Sequence, residues 1–281
     1  AMSAVLDVAT ERLGRAWGAV SHLNHVADTP ELRAAHAENL PRVTEFYTRQ
    51  GSDERLYAKY QALAASPAAA TLSAPRKQAL SHWLRDFKLG GADLQGEAKA
   101  RYAEIQDRLA ELSQAFSNHV LDATDAFCLY VPTEELAGVP ADVLQATATA
   151  AQADGKTGHK LTLKMPCYLP VMQFANSSVL REKLYRAYVT RASDQAEGEA
   201  TRFDNTVTMA ELLAMRHEEA QLLGYRHFAD VSLVPKMAES PEQVIDFLRD
   251  LAVRARPYAD QDLADMRDFA AKELGNPDPK A

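Results

Sequence analysis

Cysteine is nearly absent from this 281-residue chain. Cys128 and Cys167 are the only two, too few for a disulfide framework and without the C-x-x-C spacing of a redox pair, so both are expected to be reduced thiols. Glycine and proline are sparse, at 12 and 13, and the Ala-, Leu-, Glu- and Arg-rich segments between them carry a helical bias by intrinsic propensity. No stretch approaches the ~18 consecutive apolar residues of a membrane span. The opening AMSAVLDVAT lacks the basic and apolar regions of a signal peptide. These absences predict a cytoplasmic protein with no membrane partner. Positive charge is in deficit: 31 Lys and Arg face 39 Asp and Glu, for a net charge of −8 and a pI near 5.5. With no basic stripe interleaved with aromatics, a nucleic-acid partner is not expected. What is present, 47% hydrophobic and 25% charged residues, suits a globular fold with one large core or two smaller ones.

Periodicity predicts helices over most of the chain. Thr29-Pro30-Glu31 opens a helix over 32–47, with Thr29 as N-cap and Pro30 in the first turn. Helices over 53–65 and 75–87 follow, the latter after Ser73-Ala74-Pro75. The strongest signal lies between 97 and 124, where Tyr102, Ile105, Leu109, Leu112, Phe116 and Val120 recur every three or four residues. His119, on the shoulder of that helix, is expected to be satisfied by a local hydrogen bond. The period then shortens to strand-like alternation over 127–131 and 159–165, either side of an Ala-rich helix over 141–153. Residues 168–172 read as a Pro-stiffened passage before a helix over 178–191. A polar loop over 191–200 leads to a helix over 203–223, ended by Gly224. Ser240 and Gln243 form the capping signature of a last helix, which Pro257 is positioned to kink and which stops at Gly275-Asn276-Pro277-Asp278-Pro279. The fold class is therefore mainly α: a multi-helix domain with one small β-strand pair.

No nucleophile elbow, phosphate loop or dinucleotide fingerprint is present. The segment MRHEEAQLLG, 215–224, resembles the zinc-binding H-E-x-x-H helix, in which two histidines at i and i+4 hold the metal. Gln221 occupies the second histidine's place. His217 and Glu218 alone supply one metal contact and a stray carboxylate, so catalytic residues and metal ligands are both read as none. His22 and His25 are three apart but lack a carboxylate at ligand spacing, which favours surface or packing roles.

Several strings, in order and spacing, carry a resemblance. They are SHLNHVADTPELRAAH, QAFSNHVLDAT, LAGVP, LTLKMPCYLPVM, LREKLYRAYVTRASD, LLAMRHEEAQLLGYRHFADVSL, KMAESPEQVIDFLRDL and ARPYA. Together, from about Leu13 to the end, they resemble the N-terminal half of the thimet oligopeptidase and neurolysin family of zinc metallopeptidases. The resemblance implies an ellipsoidal, mostly helical protein split by a deep channel, with zinc bound to an H-E-x-x-H helix and a downstream Glu in the other half. Residues 1–281 would then be the noncatalytic helical domain of a longer protein, its leading Ala-Met an expression remnant. MRHEEAQLLG would be a scaffold helix whose likeness to the zinc motif is chance.

On this reading the chain is the channel wall that restricts substrate length in a cytosolic oligopeptide-cleaving enzyme. Oligopeptides and the missing C-terminal catalytic half are its partners. The chain itself is inactive and holds no cofactor, while zinc is expected in the full-length parent. Tyr168, Arg191, Ser193 and Asp194 are the candidate channel residues, because loops carry contacts while helix faces carry packing. One apolar face, covered by the other half in the parent, should be open here. The alternative is a free-standing helical adaptor that binds a protein or peptide in an apolar groove.

Overall fold

The computed structural model describes residues 2–273 and Gly275. It is 77% helical with one two-stranded antiparallel sheet, the mainly α fold with a single strand pair that periodicity predicts. The helices are α1 (Met2–Val26), α2 (Pro30–Gly51), α3 (Glu54–Ala65), the short α4 (Pro67–Ala70), α5 (Ala74–Leu89) and α6 (Gly96–Ala126). After strand β1 (Leu129–Val131) come α7 (Ala141–Ala153), β2 (His159–Leu161), α8 (Met165–Phe174) and α9 (Ser178–Val189). A 3-10 turn (Gly198–Phe203) precedes α10 (Thr206–Leu222), α11 (Phe228–Leu233) and α12 (Pro241–Glu273).

Capping chemistry sets most boundaries. Thr29 Oγ1 accepts from the Leu32 amide at 3.2 Å, and Asp53 accepts from the amides of Arg55 and Leu56, satisfying donors that a helix start leaves orphaned. Ser240 Oγ accepts from the Gln243 amide at 3.1 Å, while Gln243 Oε1 accepts from the Glu239 amide at 2.7 Å. That is a capping box reaching one residue further back than usual. Gly224 takes φ +83 after α10, the left-handed stop that glycine adopts at least cost.

Four expectations need correction. The passage over 168–172 lies inside α8. Pro166 sits in its first turn, where no amide is required; Pro170 lies inside the ten-residue helix, which Tyr168 and Val171 anchor in the core. The helix expected from 203 begins at Thr206, because Phe203 is pulled into a small core with Ala123 and Ala192 and the chain before it turns as a 3-10 segment. The strands are three residues each, shorter than the alternation suggested. His119 is satisfied, but by Asn205, 86 residues on, at 2.8 Å rather than locally. Helix α12 continues through Pro257. The expected stop at Gly275-Asn276-Pro277-Asp278-Pro279 lies, beyond Gly275, outside the described residues.

Two cores result. Tyr57, Tyr60, Leu80 and Phe87 of α3 and α5 pack as an aromatic cluster, with Tyr60 edge-on to Trp83 at 4.6 Å. A larger core gathers Val131, Leu136, Leu161, Leu163, Val171, Leu180 and Leu184 around the strand pair. Leu129 faces Leu161 and Val131 faces His159 across the sheet. His159 is buried there between two hydroxyls: Thr147 Oγ1, 3.0 Å from Nδ1, donates to the Val143 carbonyl and so accepts from the ring, leaving Nε2 to accept from Thr133. Gly158 takes φ +81 just before β2, and a Cβ there would meet the Val131 carbonyl oxygen at 2.5 Å.

Helix α6 joins these regions. It packs against α2 on one side and α10 on the other, with Ile105 fully buried. Ile105→Ala is expected to cost about 2–5 kcal/mol, from lost transfer energy plus a residual cavity, read as a lower urea midpoint. A cost below ~1 kcal/mol would show that α6 is not the packed centre.

Candidate functional site

The segment that resembles half a zinc motif lies on α10 and is used up in packing against α6. Glu218 accepts two bonds from Arg101, at 2.7 and 2.8 Å, and Glu211 accepts two from Arg108, at 2.6 and 2.9 Å. These bonds hold both carboxylates below their usual pKa range and raise both guanidinium values. Gln221 spends its amide on the carbonyls of Tyr225 and Arg226, closing the turn after the helix. His217 is exposed. With Glu218 clamped by a guanidinium and the Gln221 amide donating to the turn carbonyls, these residues do not fit a zinc ion. Among the described residues, no group of three or more His, Cys, Asp and Glu could hold a metal. His22 is exposed, and His25 Nδ1 lies 2.6 Å from the Ser21 carbonyl within its own helix.

Glu219, the next residue, is buried. Its Oε1 accepts from Gln106 Nε2 at 3.0 Å, and burial raises its pKa against that bond and the charge of Arg216. A raised folded-state pKa means tighter proton binding in the folded state, so its contribution to stability falls as pH rises from the unfolded carboxylate value through the folded one. Glu219→Gln keeps an acceptor for Gln106 and removes the charge. It should stabilise the chain at pH 7, with an advantage over wild type that shrinks toward pH ~4, where both side chains are neutral. Urea titrations at the two pH values read the difference, and an advantage equal at both would contradict the buried charge.

Two of the four candidate channel residues come together. Tyr168, on α8 and buried, stacks on Tyr188 of α9 with ring centroids 4.2 Å apart and planes 13° from parallel. The Arg191 guanidinium lies on the same Tyr188 ring, 3.8 Å from its centroid. Burial is the main cause of a raised Tyr168 pKa. Arg191 also donates to the Tyr188 carbonyl and to Thr124 Oγ1, each at 2.9 Å. Ser193 turns back on its own loop, donating to the Thr190 carbonyl at 2.8 Å, and Asp194 is exposed. Between them and α9, Ala192 is buried at φ +50, a left-handed conformation that costs a non-glycine residue roughly 1–2 kcal/mol. It turns the chain out of α9 while its carbonyl accepts from the Asn205 amide.

Arg191 opens onto a cleft of about 550 Å3. Its lining includes Phe127 and Leu163, Lys183 and Arg186 of α9, Arg191 just past that helix, and Glu197 and Glu199 of the 195–200 segment. Sequence reasoning missed Lys183, Glu197 and Glu199. Each is a charge on a solvated stretch, and nothing local shows that α9 and the 195–200 segment face one another across the end of α6.

The second feature is α12, 33 residues and so about 50 Å long. It carries Phe247, Leu248, Leu251, Tyr258, Met266 and Phe269 at helical spacing, every one more than half exposed. Only Ala270 of this helix is buried. An amphipathic helix this long with its apolar stripe in water has the character of an interaction surface.

Comparison with known proteins matches the Neurolysin/Thimet oligopeptidase N-terminal domain family over residues 2–99 and peptidase family M3 over residues 171–281. Oligopeptidase A of Salmonella typhimurium is 47% identical over 96% of this chain, and that of Escherichia coli is 48% identical over 94%. The probable cytosolic oligopeptidase A of Arabidopsis thaliana is 37% identical over 95%. The chain spans about 40% of the length of these relatives.

Proposed function

We propose, from the premise that the chain belongs to peptidase family M3 and corresponds to the N-terminal part of oligopeptidase A-like sequences, that it builds the noncatalytic channel wall of a cytoplasmic oligopeptide-cleaving metallopeptidase. The observation that carries this reading is α12. Its apolar stripe is uncovered, and the chain spans about 40% of the length of its relatives, so the remainder of such a protein is the natural cover. The matched oligopeptidases support peptides as the substrate class.

On this reading, residues 1–281 supply shape rather than chemistry. A wall of packed helices excludes large substrates sterically, while the remainder would carry the zinc implied by the family resemblance. The α6–α10 ion pairs fix the register of two of the wall's helices, and MRHEEAQLLG is one of its structural members. Tyr168, Arg191, Ser193 and Asp194 are retained as wall residues; the opening of Arg191 onto the cleft, with Tyr168 stacked behind it, supports the first two. The surplus of acidic groups supports the absence of a nucleic-acid partner. Among the described residues no helix is long and apolar enough to cross a membrane.

The test is metal content and hydrolysis. The purified 281-residue chain should carry no stoichiometric zinc and cleave no internally quenched peptide. A longer chain extended through an H-E-x-x-H segment should gain both, and a chelator should abolish the activity. Stoichiometric zinc in the 281-residue chain, lost on His217→Ala, would overturn the proposal.

A further inference from the structure

We infer that the cleft between α9 and the 195–200 segment is a binding site for a short zwitterionic peptide, two or three residues long with both termini free and an apolar side chain. The inference rests on the cleft alone and holds whether or not the chain walls a peptidase channel. The lining is dipolar. Lys183 and Arg186 of α9 and Arg191 just past that helix supply the positive groups, Glu197 and Glu199 of the 195–200 segment the negative ones, and Phe127 and Leu163 apolar lining.

Arg186 is paired with Glu182 at 3.0 Å, and the other two cations are available for a ligand. Among the described residues Arg191 bonds only neutral acceptors, the Thr124 hydroxyl and the Tyr188 carbonyl, while its stacking on Tyr188 fixes the guanidinium plane. Lys183 forms no ion pair among the described residues and is exposed at the cleft edge. The nearest cation to Glu199 is Arg202 at 4.0 Å, too far for a hydrogen bond.

A free α-carboxylate placed against Lys183 and Arg191 gains charge-assisted bonds, and an α-ammonium then faces Glu197 and Glu199. The side chain of the ligand falls on the apolar lining. A simple anion would be repelled by the acidic wall and a simple cation by the basic one. Only a ligand carrying both charges at short separation satisfies the two walls together. At about 550 Å3 the cleft is in the range of small-molecule sites.

The probes are the dipeptide Leu-Phe, its N-acetyl derivative and its C-terminal amide, titrated into the 281-residue chain. Amide NMR shifts, and protection of the exposed cleft-lining Cys128 from alkylation, give two independent readouts. Leu-Phe should bind, and each blocked form should bind about threefold to tenfold more weakly. Lys183→Gln should weaken Leu-Phe by a similar factor and leave the amide unchanged, and Glu197→Gln should weaken Leu-Phe and leave the acetylated form unchanged. Both side chains are exposed, so unchanged circular dichroism is expected of the variants. Equal binding of all three dipeptides, or neither shifts nor protection with Leu-Phe at millimolar concentration, would overturn the assignment.

Discussion

The antiparallel register of α6 against α10 and its anchorage to α2 organise the rest of the molecule. Arg101 meets Glu218, and Arg108, two turns further on, meets Glu211, two turns back. At the other end of α6, Asp122 takes two bonds from Arg33 of α2, which also binds Asp28. The exposed pairs contribute little stability individually. What they specify is register, because a slip of one turn would leave both arginines opposite the wrong groups. Buried polar contacts carry the same message: Gln106 reaches Glu219, and Asn205, fully buried, joins His119 to the Phe116 carbonyl. With α6 held this way, its C-terminal end sits where α9 and the 195–200 segment can close a cleft over it.

Helix α12 stands outside this arrangement. Its stripe would contribute on the order of 1.5–3 kcal/mol for each large side chain fully buried, and almost none of that is realised in the chain itself. The core around β1 and β2 is complete by contrast, down to the hydroxyl partners of His159. A fold finished in its centre and open along one long helix is the arrangement that the proposed wall role requires.

Helix placement was legible in the sequence because its causes are local. Thr29 and Asp53 cap as their chemistry demands, the 97–124 periodicity becomes α6, and Ala141–Ala153 forms where the Ala-rich run lies. The misreadings all have tertiary causes. Phe203 belongs to a core rather than to α10, His119 finds its partner 86 residues away, and Pro170 lies inside a helix that Tyr168 and Val171 anchor in the core. The failed zinc motif was readable from Gln221 alone, but the reason Glu218 is there, Arg101 on another helix, was not. The cleft was the least legible feature, since Lys183 and Glu197 reveal nothing until two segments face each other.

The central claim, that this chain is a wall with one face awaiting the rest of a peptidase, is tested most directly by hydroxyl-radical footprinting of α12. In the 281-residue chain, Phe247, Tyr258, Met266 and Phe269 should be modified rapidly, as their exposure requires. In a longer chain that includes the rest of the peptidase domain, they should be protected while His22 and His217, exposed on other helices, react at unchanged rates. Equal modification of the α12 stripe in both chains would contradict the account.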